Sequence, residues 1–89
     1  MTKLNINFYY SAWDEYLAWK KEDKKISKKI DKLIKDTIRH PFEGLGKPEP
    51  LRESLTGYWS RQITKKDRMV YSVTSTEIRI LQLKYHYTK

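Results

Sequence analysis

A chain of 89 residues is enough for one domain and too short for two, and on folding it hides only ~60% of its unfolded surface. Lys and Arg number 19 against 11 Asp and Glu, and the resulting net charge of +8 points to a polyanionic partner, nucleic acid or an acidic protein. The lack of cysteine excludes disulfides and thiolate zinc sites. Together with the absence of an apolar signal core or of the ~20-residue apolar run that spans a bilayer, it leads us to expect a cytoplasmic protein.

Leu4, Ile6 and Phe8 alternate with Asn5, Asn7 and Tyr9, the period of a half-buried strand. Ser11, with Asp14 three residues later, has the spacing of an acidic capping box, and Trp13, Tyr16 and Leu17 then form an apolar stripe on a short helix that ends near Glu22. Asp23 is placed to cap a second helix, whose inner face is Ile26, Ile30, Leu33, Ile34, Thr37 and Ile38. Lysines cover the rest of that helix as far as Pro41, whose ring disfavours helical geometry at His40.

The segment 41–50 holds every proline and reads as a stiff, structured loop leading into a weak strand at 51–55. Three stretches rich in β-branched and aromatic residues follow, at 58–63, 68–73 and 78–87. They are separated by polar gaps of hairpin length at 64–67 and 74–77. The expected order is β-α-α-β-β-β-β, a single α+β domain over residues 1–89 with a helical hairpin packed on an antiparallel meander.

Two such hairpins bring Arg61, Arg68, Lys84 and His86 to one end of the sheet, while the face each side chain takes depends on register, because a slip of one residue reverses it. Metal-free RNA cleavage needs a base for the 2′-hydroxyl, cations for the phosphorane and an acid for the leaving 5′-oxygen. Glu49, held between two prolines, Arg61 and Arg68 with their permanently charged forks, and His86, an imidazole whose reference pKa is near 6.5, have the chemistry for those tasks. Each also has an ordinary alternative: a solvated loop carboxylate, surface-strand charges that discourage edge pairing, and a frayed terminal imidazole. His40 fits a structural position at a helix C-terminus, and the aromatics of so small a chain fit its core, with Tyr58 or Trp59 the exception that alternation exposes. Two distant histidines give no metal-ligand spacing, and no cofactor is expected.

The segments Asp31-Lys32-Leu33-Ile34-Lys35-Asp36, Pro41-Phe42-Glu43-Gly44, Gly46-Lys47-Pro48-Glu49-Pro50-Leu51, Leu55-Thr56-Gly57-Tyr58-Trp59-Ser60-Arg61, Arg68-Met69-Val70-Tyr71 and Lys84-Tyr85-His86-Tyr87 resemble the YoeB toxins of the RelE superfamily. The resemblance runs from about Leu4 to Tyr87. It implies a microbial-ribonuclease-like (RelE-like) fold and the toxin of a type II toxin–antitoxin pair, an endoribonuclease that cuts mRNA in the A site of the 70S ribosome. By position it implies Glu49 as general base, Arg68 as phosphate stabiliser, His86 as general acid and Tyr87 as its support, with Lys47, Arg52, Arg61 and Lys84 on RNA. The products would be a 2′,3′-cyclic or 3′-phosphate and a 5′-hydroxyl. It further implies a homodimer, a YefM-like antitoxin, and contact with operator DNA only as the toxin–antitoxin complex.

Three departures from the family pattern stand out. Gln62 occupies the place of a second Arg, Arg52 that of a Lys, and Thr88 and Lys89 extend the tail past Tyr87. The competing expectations are a ParE-like non-nuclease toxin, or a catalytically dead member acting as a DNA-binding repressor with its antitoxin.

Overall fold

The computed structural model describes residues 4–85. Its elements are β1 (Asn5–Phe8), α1 (Tyr10–Glu22), α2 (Lys24–Arg39), β2 (Glu49–Pro50), a 3-10 turn (Glu53–Leu55), β3 (Trp59–Gln62), β4 (Arg68–Val73) and β5 (Glu77–Gln82). Together they form one five-stranded sheet in the order β1-β5-β4-β3-β2, with the helical hairpin on one face. Strands β2 to β5 are the expected antiparallel meander, and β1 adds to its far edge parallel to β5.

The hairpin turns on Asp23. Its carboxylate accepts from the amides of Lys25 and Ile26 at the start of α2, while its own amide donates to Trp19 at the end of α1. A single residue thus satisfies orphan groups of both helices. The predicted stripe of α2 is the buried one: Ile30, Leu33, Ile34 and Thr37 lie in the core, flanked by half-buried Ile26 and Ile38. Burying a Leu or Ile side chain contributes about 1.5–3 kcal/mol, so this face anchors α2 to the sheet. The Thr37 hydroxyl is satisfied within the helix by the Leu33 carbonyl.

Helix α1 departs from expectation in its start and its phase. Ser11 is not the cap: Tyr9 still belongs to the sheet through its amide bond to Ile80, and the chain turns directly into a helix from Tyr10. The buried side runs through Ala12, with Tyr16 and Trp19 packed against the core, whereas Trp13 and Leu17 are each 43% exposed. Trp13 instead packs at the surface on Phe8 and Tyr16.

The weak strand lies earlier than its composition indicates. Pairing with β3 takes place at Glu49 and Pro50, the Leu51 amide adds one bond to Tyr58, and Glu53 with φ +56° then turns the chain into the 3-10 segment. The last strand likewise ends at Gln82. Beyond it, side chains replace the ladder: Glu15 accepts from the Leu83 and Lys84 amides, and the Trp19 indole donates to the Leu83 carbonyl. Both predicted hairpin gaps are turns, closed by the Thr64–Asp67 and Thr74–Glu77 backbone bonds.

Candidate active site

Register settles which face each candidate takes. Residues 61, 63, 69 and 71 point toward the helices, since Arg61 reaches Asp36 of α2 and Ile63, Met69 and Tyr71 belong to the core cluster. Residues of the opposite parity share the face away from the helices, where Ser60 and Val70 are buried and Glu49 is exposed. Glu49 pairs with Ser60, Ser60 with Val70 and Val70 with Gln82, forming one row across β2, β3, β4 and β5. Gln62 and Arg68 pair with each other in the next row on the same side. Glu49 and Arg68 therefore flank β3 on the same face, two strand spacings or about 10 Å apart laterally and one row apart along the strands.

Arg68 is anchored at the strand end. Its Nη1 donates to the carbonyls of Thr64 and Lys65 at 2.8 and 3.2 Å, and among the described residues Nε and Nη2 have no protein partner. A guanidinium held by one edge presents the other to an anion. Glu49, Lys47 and Arg52 are exposed. Lys47 lines a groove with Gln62, Leu45, Lys29 and Lys32, between α2 and the loop that precedes β2. His86 and Tyr87 lie outside the described residues. Tyr85, the residue before them, is tied beside Arg68: its carbonyl accepts from the Arg68 amide and its amide donates to Asp67.

Two expected RNA contacts have partners within the protein. Arg61 sits at the predicted end of the sheet but on the helix face, completely buried. Its Nε donates to the Tyr71 hydroxyl, Nη1 to Asp36 and the Leu45 carbonyl, and Nη2 to the carbonyls of His40 and Glu43. Every N–H of the guanidinium is thereby used, and none is left for a phosphate. Lys84 is also engaged: its ammonium lies 2.8 Å from a Glu22 carboxylate oxygen and 5.0 Å from the centre of the Trp19 ring. The Glu22 hydrogen bond, partly opposed by desolvation, raises the Lys84 pKa and keeps its ammonium charged.

The same geometry brings forward residues that the sequence did not single out as site groups. Ser60 and Gln82 share a row with Glu49 and Val70, in which Ser60 and Val70 are buried, and Gln62 takes the place beside Arg68 that Arg61 does not fill. On the helix face, burial pushes the Tyr71 phenol above its ordinary value, so its hydroxyl stays protonated and donates to the Pro41 carbonyl at 2.7 Å. For Asp36, burial alone would raise the carboxyl. The hydrogen bonds from Arg61 and from the Leu45 amide outweigh it and hold the carboxyl below its usual value.

Residues 8–87 match the model of the YoeB-like toxins of bacterial type II toxin–antitoxin systems. The chain belongs to this family. It is 57% identical over 76 residues to Toxin YoeB of Escherichia coli K12, covering 85% of this chain and 90% of that one. Among solved structures, a YoeB dimer from Staphylococcus aureus superposes with a TM-score of 0.89 at 45% identity, over 97% of this chain and 100% of that one. A YoeB–YefM complex from the same organism gives 0.86 at 44% identity with the same coverage. The two helices on a mixed sheet are thus the YoeB, RelE-like α+β fold. No helix among the described residues is long and apolar enough to cross a membrane.

Proposed function

We propose that this toxin is a ribosome-dependent endoribonuclease that cuts translated mRNA by metal-free acid–base chemistry. The observation that carries the proposal is that exposed Glu49 and half-buried Arg68 share the face of the sheet away from the helices, beside Gln62, while the other face is filled by the core. Glu49 accepts the proton of the 2′-hydroxyl, whose oxygen attacks the adjacent phosphorus. Arg68 offers its outer edge to the phosphorane oxygens, where a preorganised charge acts most strongly on the transition state. His86 protonates the departing 5′-oxygen, with Tyr87 supporting it. The products are a 2′,3′-cyclic phosphate, which water can open to a 3′-phosphate, and a 5′-hydroxyl.

Lys47 and Arg52 hold flanking phosphates. Arg61 takes no part in this contact because its donors are spent inside the protein. Like the Staphylococcus aureus relatives found as a dimer and bound to YefM, the chain pairs with itself and with a YefM-like antitoxin. The working compartment is the cytoplasm, where the translated message is, and operator DNA is contacted only by the toxin–antitoxin complex.

The test is cleavage of a translated message in a cell-free extract, mapped by primer extension. Wild-type protein is expected to give cuts at codon positions in the ribosomal A site, and Glu49→Ala and His86→Ala to abolish them. Undiminished cutting by both variants would sink the catalytic assignment. Supercoiling inhibition without cutting would favour a ParE-like action.

A further inference from the structure

We propose that the cluster of buried Arg61 and Tyr71 with half-buried Asp36 is the positioning device of the catalytic loop, setting where Glu49 stands over the sheet. The proposal rests on the assignment of Glu49 as general base.

The loop between α2 and β2 has almost no regular structure, yet its backbone groups converge on these side chains. Arg61 takes the carbonyls of His40, Glu43 and Leu45, Tyr71 takes that of Pro41, and Asp36 accepts from the Leu45 amide at 2.9 Å. The cluster is closed on itself, with Arg61 Nη1 2.7 Å from Asp36 and Nε 3.2 Å from the Tyr71 hydroxyl. An irregular loop has to satisfy its backbone groups one at a time, and here the buried side chains do so.

Two glycines let the loop settle onto the cluster. Gly44 has φ +109°, and a Cβ there would run into the Asp36 carboxylate. Gly46 has φ +78°, and a Cβ there would lie 3.1 Å from Arg61 Cβ and 2.9 Å from Leu33 Cδ2. The Gly46 carbonyl then accepts from the Gln62 amide at 2.7 Å, tying the end of the loop to β3. Only Lys47 and Pro48 separate that tie from Glu49, and the fixed φ of proline leaves little slack between them. A shift of the loop is therefore passed on to the carboxylate.

An apolar cluster of the same volume would fill this space at least as favourably, because a buried ion pair seldom gains net stability over well-packed hydrophobic groups. What apolar side chains cannot do is hold the loop carbonyls at fixed points. Arg61, Asp36 and Tyr71 touch no substrate; they act through the loop and are positioning residues.

The experiment uses Tyr71→Phe, which keeps the ring and removes the hydroxyl between Arg61 and Pro41, and Arg61→Lys as the harsher variant. Amide exchange at Leu45 and Gln62 reads the loop without reference to activity. Single-turnover cleavage on programmed ribosomes reads the chemical step, and a displacement of about 1 Å can cost on the order of 100-fold. Tyr71→Phe is expected to exchange at least tenfold faster at Leu45 and to cleave about tenfold more slowly at unchanged ribosome affinity. In a Glu49→Gln background, followed over hours, it is expected to add no further loss.

A folded Tyr71→Phe protein with wild-type exchange and wild-type rate overturns the proposal, as does an equal loss with and without Glu49. If Arg61→Lys does not fold, Tyr71→Phe decides alone. Full cleavage by Glu49→Gln would overturn the base assignment beneath the proposal, a failure told apart because loop exchange is scored independently.

Discussion

Gln62 stands directly opposite Arg68 in the β3–β4 ladder, on the face of the sheet away from the helices, while its chain neighbour Arg61 is buried on the other face. The position beside Arg68, the proposed phosphate stabiliser, is therefore uncharged in this toxin. Gln62→Arg adds a cation where an RNA strand crossing from Glu49 to Arg68 would pass. Binding of programmed ribosomes, measured in a Glu49→Ala background, is expected to tighten several-fold at low salt. The slope of log affinity against log salt should steepen by about 0.7–0.9 for one further phosphate contact. Two like charges directly opposed cost about 0.2–1 kcal/mol, so the thermal midpoint should fall slightly. An unchanged salt slope would mean that RNA does not run past this position.

Asp36, the half-buried member, supplies a pH signature of the Arg61 cluster. Its carboxyl is held below the ordinary value when folded, so its contribution to stability is complete above the usual carboxylate range and is lost as the pH falls through the folded pKa. The thermal midpoint should therefore drop below about pH 3.9, on top of the general acid effect. Asp36→Asn should lower the midpoint at neutral pH and remove that part of the acid limb. Parallel curves for the two proteins would show that the Arg61 pair does not contribute in this way.

Most of the frame was legible because it follows from periodicity and turn chemistry. Asp23, Pro41 and the polar gaps at 64–67 and 74–77 mark where elements stop, and each does so in the structure. The errors have physical causes. Ser11 matches a capping pattern, but β1 keeps its sheet bonds through Tyr9 and leaves no room for a separate cap. The phase of α1 was set by its largest apolar residues, whereas small Ala12 is the one buried against the sheet. Arg61 lies at the expected end of the sheet, and the face that spacing leaves open is the helix face. A signal was present in the strand itself: Trp59 and Ile63 share its parity, and the side on which they pack is the side Arg61 must take. Neither the depth of that site nor the loop carbonyls that fill it can be read from spacing alone.

The Asp23 cap offers a test of stability separated from the site. Asp23→Ala removes the acceptor for the Lys25 and Ile26 amides and should cost about 1 kcal/mol. For a domain of this size that is roughly 4–8 °C in the thermal midpoint. The cap is far in the chain from Glu49 and Arg68, so cleavage at 25 °C is expected to stay at the wild-type rate. A large loss of cleavage in a folded Asp23→Ala protein would show that the helical hairpin is coupled to the site.

The tail offers the complementary test, because apart from one backbone bond from the Arg68 amide to the Tyr85 carbonyl, side chains hold it. One oxygen of Glu15 accepts from the Leu83 and Lys84 amides at 2.7 and 3.1 Å, the Trp19 indole donates to the Leu83 carbonyl at 2.9 Å, and Asp67 accepts from the Tyr85 amide. These contacts end one residue before His86. Glu15→Ala strands two backbone donors beside fully buried Leu83, at a cost of about 1–3 kcal/mol. Under the proposed chemistry, the freed segment no longer presents the general acid in one place, and cleavage should fall at least tenfold. Amide exchange at Leu45, on the side of the base, should not change. Glu15→Gln keeps an acceptor oxygen and should recover much of the rate. Limited proteolysis after Lys84 reads the loosening directly, and a folded Glu15→Ala protein that is cut there readily yet cleaves message at the wild-type rate would remove His86 from the reaction.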